Sequence, residues 1–204
     1  MVVEVRQGAL MDRPDGDGPR RGGNGASRRP ILGVDVDGVL NLLEDRHDPR
    51  AVRAELWTTP TGWLIPIPVG TGERLARLSD AFEMVWATAW GTNAYPALKD
   101  ILALERPWPV IDLWSEYVPD VAETWKLPAV ERWLEEQDAS DGWYPWPGAP
   151  FAWLDDDLED DAMAWADERA LWTPTLLIRV DPATGLTDEH VERLVAWAAG
   201  LARA

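Results

Sequence analysis

Two short acidic runs carry the chemistry this sequence offers. The first is Asp35-Val-Asp37-Gly38, which follows the apolar Ile31-Leu-Gly-Val34. Side chains alternate along an extended chain, so Asp35 and Asp37 are expected on one side with Val36 opposed. Two carboxylates at one strand end repel each other and call for a cation. The second run, Asp155-Asp156-Asp157, closes another apolar stretch, Phe151-Ala-Trp-Leu154. Either run alone reads as ordinary turn or helix-start residues. At the ends of two parallel strands they read as a hard-cation site with oxygen ligands, most simply Mg²⁺. Gly38 then allows a tight turn close to a ligand. Thr88, just past Met84-Val-Trp-Ala87, offers a hydroxyl and adjacent backbone N–H groups to an anion. Lys126 is one of only two lysines in the chain, with Lys99.

The elements that must position these residues follow from hydrophobic periodicity. Short apolar runs at 31–36, 84–88, 109–113, 151–155 and 175–180 read as five strands. Helices are expected over 71–82, 93–104, 128–137, 158–171 and from about 187. In the first of these Thr71 is the expected N-cap, with Leu75, Leu78 and Phe82 on one face. Residues 55–69 read as two extended segments around Pro60-Thr-Gly62, and Pro66 and Pro68 confine the second to an edge or a flap. Strands alternating with amphipathic helices mean βαβ units. The expected fold is therefore α/β, a three-layer sandwich around a mostly parallel five-stranded sheet. Such sheets bind ligands beyond the carboxyl ends of their strands, where both acidic runs fall.

Composition narrows the function classes. Of 204 residues, 1–30 are rich in Gly, Arg, Pro and Asp and read as a disordered tail, leaving 31–204 as one domain. With no cysteine and only His47 and His190, thiolate sites, disulfides and a histidine metal cage are excluded. His47 is expected in a loop and His190 in the first turn of the last helix. No apolar run reaches the ~18 residues of a membrane span, and no signal-peptide core is visible, so a cytoplasmic location is expected. The net charge is −17; the tail, with six Arg against four acids, is +2, so the rest is −19. Such a field repels nucleic acid unless a local patch or a metal reverses it.

In order along the chain, LGVDVDGVLN, VWAT, Lys126 and AWLDDD resemble the four motifs of the haloacid dehalogenase (HAD) superfamily. The resemblance spans about 31–180. More narrowly, DVDGVLN, WATAW, AWLDDD and LLIRVDPATGLT are similar to the small HAD domains associated with Swiss Army Knife RNA-repair proteins. This resemblance implies Asp35 as a nucleophile forming an aspartyl-phosphate and Asp37 as general acid and base. It implies Thr88 and Lys126 as ligands of the phosphoryl group. Asp155 and Asp156 would hold Mg²⁺, together with Asp35 and the Asp37 backbone carbonyl. It also implies a Rossmann-like fold with a turn and hairpin flap in 39–69. The chemistry agrees, since a carboxylate can attack phosphorus and phosphoryl transfer chiefly needs positioning and charge neutralisation.

Neither the gap from Asp37 to Thr88 nor that from Thr88 to Lys126 holds a large cap domain, so an open site is expected. Trp90, Trp57 and Trp63 are candidates for stacking a planar group of the substrate. Among 14 tryptophans others serve as core, with Phe occurring only twice. The expected activity is that of a Mg²⁺-dependent phosphatase, on polynucleotide ends, nucleotides or small phosphoesters, with no obligate protein partner. The rivals are a HAD-fold binding module without turnover and a DxD-type nucleotide-sugar transferase, which would not require Thr88, Lys126 or the second acidic run.

Overall fold

A computed structural model describes residues 29–43, 52–114, 123–141 and 148–203. The expected tail lies outside these residues except for its last two positions, as does His47. In chain order the strands and helices are β1 (Ile31–Val34), β2 (Ala54–Thr58), β3 (Leu64–Pro68), α1 (Thr71–Ala81), β4 (Glu83–Trp86), α2 (Ala94–Leu98), α3 (Leu127–Asp141), β5 (Phe151–Asp155), α4 (Asp160–Ala170), β6 (Thr175–Arg179) and α5 (Asp188–Leu201).

β1 is apolar throughout and buried on both faces, as a central parallel strand must be. It pairs in parallel with β4 on one side and β5 on the other, Val34 lying level with Trp86 and Leu154. β6 extends the sheet beyond β5, giving the order β4-β1-β5-β6. Alternation then sorts the core. Leu32 and Val34 pack with Leu75 and Leu78 of α1 and Val191 and Leu194 of α5. Ile31 packs on the opposite face with Val130 and Leu134 of α3 and Ala162 and Ala166 of α4. The result is three layers, helices on both faces of one sheet. Gly33 lacks a side chain where the Phe151 and Trp153 rings cross β1, and a Cβ there would meet Phe151 at 3.1 Å.

Among the described residues the parallel sheet has four strands where five were expected. The 109–113 segment makes one parallel bridge, Val110 to Trp86, held by Trp86 N–H to Pro109 O and Ile111 N–H to Trp86 O, each 2.9 Å. Pro109 has no N–H to extend the ladder back toward Met84, and β4 itself ends at Trp86, so the segment remains a bridge at the sheet edge.

Other boundaries shift for local reasons. The cap of α1 is Gly70, at φ +86°, and Thr71 is its first residue, its hydroxyl donating to Pro68 O at 2.7 Å. The expected 93–104 helix shortens to a 3-10 turn (Gly91–Asn93) and α2, followed by turns as far as 103. His190 lies in the first turn of α5, where it and Thr187 form a reciprocal capping box.

Residues 54–68 form an antiparallel hairpin, with Leu56 opposite Pro66 and Trp57 opposite Ile65. Ile65 and Ile67 face the core, while Leu56, Trp57, Trp63 and Leu64 are exposed. The hairpin is tied to the chain leaving β1 by Leu42 N–H to Pro66 O at 2.9 Å. Between Thr88 and Lys126 the described residues hold the 3-10 turn, α2 and the Val110 bridge. Among the described residues no helix is long and apolar enough to cross a membrane.

Candidate active site

The carboxyl ends of β1 and β5 adjoin, so each delivers its acid to the same place. Asp35 N–H continues the β1–β5 ladder by donating to Leu154 O at 3.0 Å. The Asp35 side chain turns inward, Oδ1 accepting from Val36 N–H at 2.7 Å. Asp155, the last residue of β5, is wholly buried, and its Oδ1 accepts from Asp157 N–H at 3.0 Å.

Lys126 completes the cluster from the first turn ahead of α3. Its Nζ donates to Asp35 Oδ2 at 2.6 Å and to Asp155 Oδ2 at 2.7 Å, with all three side chains buried. Trp125 covers this ammonium, its ring centroid 5.7 Å from Nζ. The lead-in to Lys126 is pinned by Thr124, whose N–H and hydroxyl both donate to Asp161 near the start of α4. The Thr124 hydroxyl also accepts from Glu159 N–H at 2.8 Å. Thr124 and Asp161 thus hold the lysine's loop against the helix that follows Asp155.

Carboxylate oxygens of Asp35, Asp155 and Asp156 lie within 4.8 Å of one another. Burial, reinforced by the charge of Asp155, raises the Asp35 carboxyl from 3.8 to about 7. Burial, with the charge of Asp35, raises Asp156 to about 6, and burial also raises Asp155. Burial alone would lower Lys126, but the charges of Asp35 and Asp155 outweigh it and its pKa rises. Three acids sharing one ammonium are short of positive charge. An all-oxygen, electron-rich donor set of this kind fits a hard divalent cation. Gly38 stands directly over this set at φ +72°, where a Cβ would collide with the Asp156 carboxyl.

Asp37 has a different set of partners from Asp35. β1 ends at Val34, and the chain then coils, Leu40 and Asn41 N–H both donating to Val36 O. Alternation applies only to extended backbone, so it does not govern residues 35–37. The Asp37 carboxylate is absent from the group of three. Instead Oδ1 accepts from Asn41 Nδ2 at 2.7 Å and Oδ2 from Trp90 Nε1 at 2.8 Å. Thr88 is buried just past β4, its hydroxyl accepting from Trp90 N–H at 3.3 Å.

Asp37 opens onto a cleft of about 790 Å³, whose walls include Trp90, Trp63, Thr59, Thr61 and Asn93. Among the described residues no lysine or arginine lines it. Trp57 lies elsewhere, over a separate depression of about 440 Å³ between the hairpin and the start of α1. Of the three tryptophans singled out in the sequence, the fold therefore brings Trp63 and Trp90 to the cleft and not Trp57. Sequence reasoning missed Asn41, Thr124 and Asp161. Asn41 had a visible signal, its spacing of four from Asp37 within DGVLN. Thr124 and Asp161 had none, because their partnership spans 37 positions.

No curated protein matches the chain significantly. A family profile described as the HAD domain in Swiss Army Knife RNA repair proteins matches residues 31–191, which include every site residue named above. The buried acidic pair at adjoining strand ends, the lysine that joins it and the profile match lead to one assignment: the chain belongs to this family of HAD domains.

Proposed function

We propose that this protein is a Mg²⁺-dependent phosphohydrolase of cytoplasmic location that works through an aspartyl-phosphate on Asp35. The observation that carries the reading is Lys126 Nζ shared between Asp35 and Asp155 with Asp156 beside them. That arrangement concentrates a nucleophile and a cation in a buried pocket and leaves carboxylates over for a metal. Asp35, Asp155 and Asp156 would hold Mg²⁺, which would supply the missing positive charge at the transferring phosphoryl group.

The steps then belong to the chain's own residues. Asp35 Oδ attacks phosphorus while the bond from phosphorus to the leaving oxygen breaks. That oxygen leaves with the electron pair of the broken bond and takes a proton from Asp37. Water next attacks the aspartyl-phosphate, Asp37 takes a proton from it, and Asp35 is regenerated as phosphate departs. Lys126 and the Thr88 hydroxyl hold the phosphoryl oxygens. A proton donor at 37 favours phosphate esters, because a departing alkoxide needs a proton and a halide does not.

For substrate we propose a phosphate at the end of a nucleic acid. The family's description as RNA repair supports this, and so does an open cleft with two indoles and neutral polar groups suited to a nucleoside. The hairpin 54–68 would act as its flap. The absence of a cation from the described cleft lining and the −19 of residues 31–204 favour a second reading, a mononucleotide or other small phosphoester. Hydrolysis of an aryl phosphate with and without Mg²⁺ tests the activity. Comparing kcat/KM for a phosphorylated oligonucleotide with that for the matching mononucleotide, across a salt series, tests the substrate. Preference for the mononucleotide at every salt concentration would leave the small-molecule reading.

A further inference from the structure

We propose that Trp90 is a positioning residue for Asp37, acting with Asn41 to aim the carboxyl group at the leaving oxygen. The inference rests on the phosphohydrolase reading and adds a role that the wall of a cleft does not require. Each oxygen of Asp37 has its own dedicated donor, Trp90 Nε1 at 2.8 Å on Oδ2 and Asn41 Nδ2 at 2.7 Å on Oδ1. Rotating the carboxyl away would break both bonds together.

The chemistry of the donors matters as much as their number. An indole N–H only donates, and an amide NH₂ only donates. Neither group can take a proton from Asp37, so neither would divert one from a substrate. Each carboxyl oxygen keeps a second acceptor position after receiving one N–H. In the acid role proposed for Asp37, its proton would occupy the side that Trp90 and Asn41 leave open. With Nδ2 toward Asp37, Asn41 supplies a donor to that carboxyl group and not a second oxygen. Asn41 keeps this orientation although its own Oδ1 is buried without a partner.

Trp90 is itself fixed. Its backbone N–H is held by the Thr88 hydroxyl, and its carbonyl accepts from Asn93 N–H at 3.0 Å. Its ring packs against the core cluster that contains Trp86 and Leu98 while also lining the cleft. A residue serving only as a stacking platform would offer its ring face and leave the indole N–H to solvent. Here the N–H is committed to the acid, so the cleft wall and the proton donor are one rigid unit.

The test compares kcat/KM for 4-nitrophenyl phosphate and for ethyl phosphate within each variant. This parameter reports only the steps up to loss of the leaving group, and nitrophenolate departs without a proton whereas ethoxide does not. The aryl-to-alkyl ratio also cancels any loss shared by both esters, including a smaller folded fraction, weaker metal binding or weaker phosphoryl binding. Trp90→Phe keeps a ring and removes the N–H, and should raise the ratio about tenfold or more. Asn41→Ala should raise it in the same direction, and it decides the matter if Trp90→Phe does not fold. An active wild-type protein whose ratio is unchanged in the variants would overturn this inference alone. A wild-type protein inert toward both esters would overturn the hydrolase reading and this inference with it.

Discussion

Lys126 Nζ donates to Asp35 Oδ2 across 2.6 Å, although 91 positions separate the two residues. This contact sets a buried ammonium on the carboxylate proposed as the nucleophile. Its removal and the removal of Asp35 should have opposite signatures.

Asp35→Asn keeps the shape and removes the attacking charge. Turnover should fall to background while the melting temperature holds or rises, because a neutral amide relieves the crowding of acids. Retention of a tenth of wild-type activity would exclude the covalent step. Lys126→Met should instead lower stability, by about 3 kcal/mol in urea denaturation at neutral pH, because it strands buried carboxylates.

Chelation with EDTA should abolish activity, and Mg²⁺ should restore it. Mg²⁺ should also raise the melting temperature of the wild-type protein, since a ligand of the folded state stabilises it. Asp156→Ala should remove most of that rise. An unchanged melting curve in saturating Mg²⁺ would count against the cluster as a metal site.

The raised acids give the metal-free protein a pH dependence of definite sign. In the folded chain Asp35 titrates near 7 and Asp156 near 6, both above 3.8. Between the unfolded and folded values the native state binds more protons, so stability falls as pH rises. The melting temperature in EDTA should drop by roughly 10 °C between about pH 5 and about pH 8. Saturating Mg²⁺ should flatten this slope, as the cation replaces the protons.

Gly38→Ala should damage the metal site more than the fold. The backbone there has φ +72°, and the new Cβ would press on the Asp156 carboxyl. About 1–3 kcal/mol of strain is expected in denaturation, with Mg²⁺ affinity, read by calorimetry, weakened tenfold or more. Unaltered Mg²⁺ affinity would show that Asp156 does not need its present place.

Trp63 and Trp57 provide a paired control on the cleft. Trp63→Ala should raise KM for a nucleotide substrate several-fold, consistent with about 1–3 kcal/mol for a stacked base. Trp57→Ala, over the other depression, should leave that KM within a factor of two.

Local pattern made much of this architecture legible. The continuous apolar runs at 31–34 and 151–154 announce strands buried on two faces, and both are central. Where backbone chemistry opposed the pattern, the expectation failed. Pro109 and the end of β4 at Trp86 cut the fifth strand to a bridge, and Gly70 took the cap from Thr71. The alternation rule does not reach Asp37, because β1 stops at Val34 and the chain coils from Val36.

The sequence by itself determined the element types and placed Asp35 and the 155–157 run at strand ends, because burial period and strand termination are short-range properties. Only the tertiary structure decided that β1 lies between β4 and β5, which is what brings Asp35, Lys126 and Asp155 within hydrogen-bond reach. It also decided that Trp90 donates to Asp37 while Trp57 faces away to another depression. Contacts across 29, 53 and 91 positions depend on strand order and layer packing, and no local periodicity encodes them.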